Sequence, residues 1–323
     1  MKKKTITRRD FLRAAAVAPI AGAFACAAHG VPPSKADLLT DVPYSPIPPG
    51  EKVYPHPWQK AGTQKSRVVL VRDQNAVTDD RKFNAEAIQK MLDDAMTALF
   101  DEKDPMAAWK KIVKPTDIVG IKTNSWRFLP TGKEVEQAIK RRVMDAGVPE
   151  EKIAIADSGV LNNPIFKEAT ALINARPARC HYWAGIGSCI KNYIQFVPNR
   201  PDYHPDACAD LATIWSLPPV KDRTRLNILV MLTPLFHNIG PQGFSEKYLW
   251  PYKGLIVGRD VVAVDTTGLN IMKAKRLQFF GEERPFETSA HHIALADTKH
   301  KLGTSDPAKI ELIKLGWKDD ILI

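Results

Sequence analysis

The chain has 323 residues, with 46 Lys and Arg against 36 Asp and Glu, for a formal net charge of +10 at neutral pH. The basic residues form no block outside the N-terminus, which excludes the nucleic-acid face that clustered Lys and Arg would mark. Four cysteines in a chain this long exclude a disulfide scaffold.

The first element is an export signal. "MKKKTITRRDFLRAAAVAPIAGAFACAAHG" has a basic head, an Ala-rich apolar run from Ala14 to Ala25 and small residues near a cleavage site. Its Arg8, Arg9, Phe11 and Leu12 resemble the twin-arginine signal, which implies handling by the twin-arginine translocase and a periplasmic or exported protein. The apolar run is shorter than the about 20 residues of a membrane span, so no transmembrane helix is expected. Cys26 could accept a lipid, but Ala23 and Phe24 fit that signal poorly, and cleavage near residues 25 to 30 is favoured. Residues 1 to 25 contain six Lys and Arg and one acidic residue, so without them the formal charge falls to +5.

Residues 31 to 66 are rich in Pro, Lys and polar residues and read as an extended linker or wrapping arm. From Arg67 a strand-helix beat begins. "RVVLV" predicts a strand, and Ile88, Met91, Leu92, Ala95, Met96 and Leu99 recur at helical spacing. The beat continues with strand 117–121, helix 133–147, strand 152–156 and a helix over 164–175. Strands at 226–232 and 254–258 precede a helix over 260–275 with Asp260 as its N-cap. Apolar runs without alternation, separated by helices, predict an α/β fold: a mainly parallel sheet with flanking helices. Residues 177 to 225, richer in Cys, His, Trp, Asn and Pro, read as an irregular insertion or cap within an α/β domain over 67–323. Cys180, Cys189 and Cys208 are expected to be buried free thiols, with a Cys180 to Cys189 bridge as the exception, and they lack the C-x-x-C pairs of a zinc or iron–sulfur site.

In open parallel sheets, ligands bind outside the carboxyl ends of the strands. Lys122 and Asn124 follow one predicted strand, Asp157 and Ser158 the next, Arg72 and Asp73 the first, and Arg259 and Asp260 the last. This set predicts a polar-ligand site at one rim, although each residue alone fits an ordinary strand end. His237 is a further candidate, His291 and His292 read as capping or solvent-facing, and Trp183, Tyr193, Phe196 and Trp215 read as core or as a partner surface. No P-loop, nucleophile elbow, zincin helix or dinucleotide fingerprint is present.

"IVGIKTN", "EVEQAIKRRVMDAGVPEEKIAIADSG", "CIKNYIQF", "YHPDACADLATI", "NIGPQGF", "GLIVGRDVVAVDTTGLNIM" and "HIALADTKHKLGTSDPAKIELIKLGW" occur here in this order. In order and character they resemble the family called domain of unknown function 362, over about Val119 to Trp317. The resemblance implies an α/β protein, sometimes joined to ferredoxin-like modules, with no general reaction attached. It points to Lys122, Asn124, Asp157, Lys191, Asn192, His204, Asp210, Gly240, Pro241, Asp260 and Asp265. One departure is Leu232, Thr233 and Pro234 where the family usually reads Asp-Gly-Ile; the ferredoxin cysteines are also missing.

The expectation is an exported protein, enzyme or non-catalytic binding protein, with a small anionic ligand or metal-assisted cofactor at the strand carboxyl ends. Lys122, Asp157 and His204 are the catalytic candidates. Asn124, Ser158, Lys191, Asn192, Gly240 and Asp260 would bind ligand, and Asp210 and Asp265 would hold a divalent metal. A redox protein is a further expected partner.

Overall fold

The computed structural model describes residues 65–238 and 243–323. The export signal, nearly all of the arm, Gly240 and Pro241 therefore lie outside the described residues.

Among the described residues, eight strands form one sheet: β1 (Ser66–Arg72), β2 (Val119–Lys122), β3 (Ile153–Ala156), β4 (Ala171–His181), β5 (Gly185–Gly187), β6 (Thr224–Leu235), β7 (Gly254–Gly258) and β8 (Ile310–Gly316). Their spatial order is β3-β2-β4-β6-β7-β1-β8, with β5 paired to β4. The pairings of β2 with β3 and β4, of β4 with β6 and of β1 with β8 are parallel. Strand β7 runs antiparallel to both of its neighbours, β6 and β1.

The helices are α1 (Ala85–Phe100), α2 (Pro105–Trp109), α3 (Lys133–Asp145), α4 (Pro164–Glu168), α5 (Cys189–Asn192), α6 (Pro205–Cys208), α7 (Val261–Phe280) and α8 (His291–Thr298). Asn84 starts α1 by accepting from the amides of Glu86 and Ala87, and Asp260 starts α7 by accepting from those of Val262 and Ala263.

Alternation along the strands feeds a separate core on each face. Val69, Val71, Ile121, Ile173, Ile228 and Val257 pack under α1, α2 and α3. Val68, Leu70, Leu172, Leu229 and Ile256 pack under α7 and the irregular segment from Ala184 to Val220. The fold class expected from the sequence, α/β with a mainly parallel sheet, is the one observed.

Two expectations need correction, one strand was not foreseen, and the core reading of three aromatics holds. The helix expected over 164–175 is instead the one-turn α4 followed by β4, a strand buried along its length between β2 and β6. The insertion expected from residue 177 begins later, because 177–181 belong to β4. Strand β8 carries no helix-or-strand expectation from the sequence, since its exposed edge position dilutes the apolar signal. Tyr193, Phe196 and Trp215 are 0%, 1% and 3% exposed, so they are core and not a partner surface; Trp183 is 47% exposed.

Candidate functional site

The site grows from one row across the sheet. Register places Lys122 beside Asn174, and Asn174 beside Asn227, so the three side chains rise from one face. This is the face under α5 and α7. Polar groups in the middle of a buried face must find partners, and here they do so in a closed chain. Lys122 Nζ donates to Thr123 O (2.6 Å), Asp157 Oδ1 (3.0 Å) and Asn192 Oδ1 (3.2 Å). Asn192 Nδ2 donates to Lys122 O and Asn174 Oδ1, and Asn174 Nδ2 to Cys189 O and Asn227 Oδ1. The chain ends where Asn227 Nδ2 reaches Arg259 O.

Asp157, at the carboxyl end of β3, also accepts from the amide and hydroxyl of Ser125. Burial works to raise its pKa, but the Lys122 ammonium and the Ser125 donors outweigh it and hold the carboxylate below its ordinary value. Burial depresses Lys122 to about 8, against the pull of Asp157. Asn124 shapes the loop between them, receiving the Thr131 amide on its carbonyl and donating its own amide to Thr131 Oγ1.

Two residues further along β4 the satisfaction ends. Arg176 and Arg179 are 3% and 7% exposed, and the Nε of each has no hydrogen-bond partner. Pro177 between them has no N–H to give the ladder, and the β4–β6 register shifts between Pro177 and Arg179. That irregularity opens the strands where the guanidiniums sit. Arg179 lies over the Trp126 ring at 4.2 Å. Gly187 of β5 makes room for Arg176, since a Cβ there would lie 2.9 Å from its Nη2. Desolvation lowers both guanidinium pKa values, Arg179 to about 9; an arginine side chain stays protonated in proteins.

Lys191 completes the cationic group from α5. It is 2% exposed, its Nζ meets Cys208 Sγ at 3.6 Å, and burial lowers its pKa to about 8. Beyond it, His204 stacks on Trp183 at 4.5 Å, and exposure rises from buried Cys208 through half-buried His204 to Trp183. Burial and Lys191 depress His204 to about 4. His181, with its Nδ1 accepting the Trp183 amide, and His292 are also held neutral by burial, His292 at about 3. His292 is 0% exposed with both ring nitrogens unpartnered, which corrects its reading as a capping or solvent-facing residue.

Lys122, Asp157, Lys191, Asn192 and His204 are therefore brought to one end of the sheet, as expected. Others stand apart from the buried group. Ser158 lies at the same end but is exposed. Asp260 follows β7, and because that strand runs against its neighbours its carboxyl end lies at the opposite rim, where Asp260 accepts from Ser66 Oγ and the Thr304 amide. There it caps α7 and cross-links Ser66 to Thr304. Asp210 pairs with Lys299, whereas Asp265 is fully buried and accepts from Ser188 Oγ and the amides of Cys189 and Ile190. They do not form a metal pair, and no group of three or more His, Cys, Asp or Glu that could hold a metal occurs among the described residues. His237 accepts from Arg276. Cys180, Cys189 and Cys208 are free and buried, without the Cys180–Cys189 bridge.

Sequence reading missed Asn174, Arg176, Arg179, His181 and Asn227. The signal was two arginines inside an otherwise apolar run, hidden because that run was divided between the helix expected over 164–175 and the insertion expected from 177. A cavity of about 740 Å³ lies elsewhere, between α7 and residues 283–294, and is lined by Leu269, Lys273, Leu277, Phe286 and Ile293.

No helix among the described residues is long and apolar enough to cross a membrane. No curated protein and no solved structure matches this chain. A family model does match, over the stretch that supplies Asp157, Arg176, Arg179, Lys191 and Asn192 but not Lys122: residues 148–270 are similar to the family described as Domain of unknown function (DUF362).

Proposed function

We propose that this chain is an exported protein that binds a small anionic ligand at the carboxyl rim of its sheet, between Arg176, Arg179 and Lys191. One observation carries the reading: Arg176 and Arg179 are buried with their Nε atoms unpartnered and without the carbonyl acceptors that the other such buried arginines, Arg223 and Arg225, find in Ala169 O and Thr170 O. A buried charge without a partner is strongly destabilising, and the planar guanidinium fork is suited to oxygens of an anion. Export is proposed from Arg8, Arg9, Phe11 and Leu12.

Thermal unfolding of the purified chain, with phosphate, sulfate, acetate and nitrate compared at ionic strength matched with potassium chloride, tests the binding. A ligand at 100 times its Kd stabilises by about 2.7 kcal/mol. If none of the four raises the midpoint above the chloride reference, the reading fails. For export, the double substitution Arg8→Lys and Arg9→Lys is expected to move the chain from the periplasmic to the cytoplasmic fraction.

Turnover is the second reading, favoured by one feature: the depressed pKa of Lys122 beside the ionised Asp157 suits proton exchange with a bound anion. Against it, all three Nζ hydrogens of Lys122 already have acceptors. Incubating the chain with pooled small anionic metabolites and following their masses separates binding from conversion.

A further inference from the structure

We infer that the ligand of this rim is a doubly charged tetrahedral oxyanion group, a phosphate or sulfate, free or as the head of a larger molecule; this rests on the anion-binding reading above.

The first argument is charge. Lys122, Arg176, Arg179 and Lys191 are four cations, all at most 7% exposed. The carboxylates acting on Arg176 are Asp157 and Asp265, and the thiols near it, Cys189 and Cys208, are kept neutral by burial. Asp265 is raised by burial to about 6 and is therefore ionised at neutral pH. His181, His204 and His292 are neutral. Glu134, Glu136 and Lys133 of α3 lie near Asp157 but are exposed or half-buried, outside the buried group. Four cations against two carboxylates leave an excess of two positive charges in a water-poor interior. A monoanion would leave one of them uncompensated, which buried groups do not tolerate well; a dianion compensates both.

The second argument is the supply of donors. The unpartnered hydrogens belong to Arg176 and Arg179, and the fully buried His292 offers a ring N–H with no acceptor. Lys191 Nζ has only a thiol at 3.6 Å. These donors come from three separate elements, β4, α5 and α8, and lie near enough to act electrostatically on one another. A planar carboxylate presents two oxygens in one plane, whereas a tetrahedral group presents oxygens along several directions. The chain of contacts from Lys191 through Cys208 and His204 to exposed Trp183 marks the side nearest solvent.

Isothermal titration of the full chain at pH 7 with sulfate, inorganic phosphate, acetate and nitrate, at matched ionic strength, decides the matter without any variant. Sulfate and phosphate are expected to bind at least 100-fold more tightly than acetate and nitrate. Equal or tighter binding of acetate or nitrate overturns the dianion inference while leaving anion binding in place. No binding by any of the four overturns both. Arg176→Met is expected to abolish sulfate binding and Arg176→Lys to restore part of it. Because sulfate and phosphate lead to different natural ligands, their ratio of affinities then separates a sulfate head from a phosphate head. If the Arg176 variants lose their near-ultraviolet dichroism, Arg179→Met serves instead, and unchanged sulfate affinity in a folded variant of either arginine would sink the assignment.

Discussion

Two buried polar clusters sit at opposite rims of the same sheet, and they differ in one respect. At the amino rim, Asp260 is 1% exposed and its oxygens accept from Ser66 Oγ and from the amides of Val262, Ala263 and Thr304. At the carboxyl rim, Arg176 and Arg179 are nearly as buried, yet each keeps an Nε with nothing to bond. Burial and charge are common to both; only the satisfaction of donors and acceptors separates a structural cross-link from a place prepared for a ligand. The same contrast runs along β4, where the Lys122–Asn192–Asn174–Asn227 chain is closed and the arginines that begin two residues past Asn174 are not.

The largest effect should come from breaking the closed side. Asp260→Ala removes the cap of α7 and strands the Ser66 hydroxyl and Thr304 amide, for a loss of about 3 kcal/mol from one lost cap plus buried unsatisfied donors. Urea unfolding measures it, and sulfate affinity should not change. A comparable loss of anion binding would mean the two rims are not independent.

Next comes pH. Lys191 has a folded value of about 8, below the 10.5 of an unperturbed lysine. Between those values the unfolded chain holds the proton and the folded chain does not, so this group's contribution to stability rises as pH climbs from 8 to 10.5. At about 1.36 kcal/mol per pKa unit, that is roughly 3 kcal/mol in unliganded protein. Lys191→Met should lose this slope, one proton fewer than wild type across urea unfolding at pH 7.5 to 10.5. Saturating sulfate should flatten it in the wild type, because an anion favours the ammonium.

A smaller effect, of opposite sign, belongs to the open side. Without ligand, Arg176→Met replaces an unpaired buried cation by an apolar side chain, and such replacements are often stabilising, here by about 1 to 2 kcal/mol. A loss of that size instead would show that Arg176 is satisfied in the empty protein, and the contrast between the rims would vanish.

Much of this was readable in the residues and some was not, for definite reasons. Lys122 and Asp157 were legible because each lies at or near the end of an apolar run, and a parallel sheet gathers such ends; Asn192 came only from the family resemblance. Asp260 was misplaced because "GLIVG" looks the same in either direction: strand polarity within a sheet is set by the connections and neighbours, not by the strand's own composition. Arg176 and Arg179 were missed because "ALINARPARCH" alternates poorly and follows a helix start at Pro164, so a strand buried on both faces resembled a helix tail. The unpartnered Nε atoms that make these arginines informative are a property of packing, which no single-sequence pattern encodes.

The smallest expected effect is the sharpest check on strand-end reasoning itself. Ser158 stands next to Asp157 at the end of β3 and by position alone is as good a ligand as its neighbour, yet it is exposed. Exposed substitutions away from caps and networks usually change stability by within about 0.5 kcal/mol. Ser158→Ala should therefore leave both the unfolding midpoint and the sulfate affinity where they are, while Asp157→Ala, which leaves the Lys122 ammonium without its carboxylate, disturbs both. A tenfold fall in sulfate affinity for Ser158→Ala would move the site outward along the β3 loop, toward the solvent side of Ser125, and away from the buried arginines.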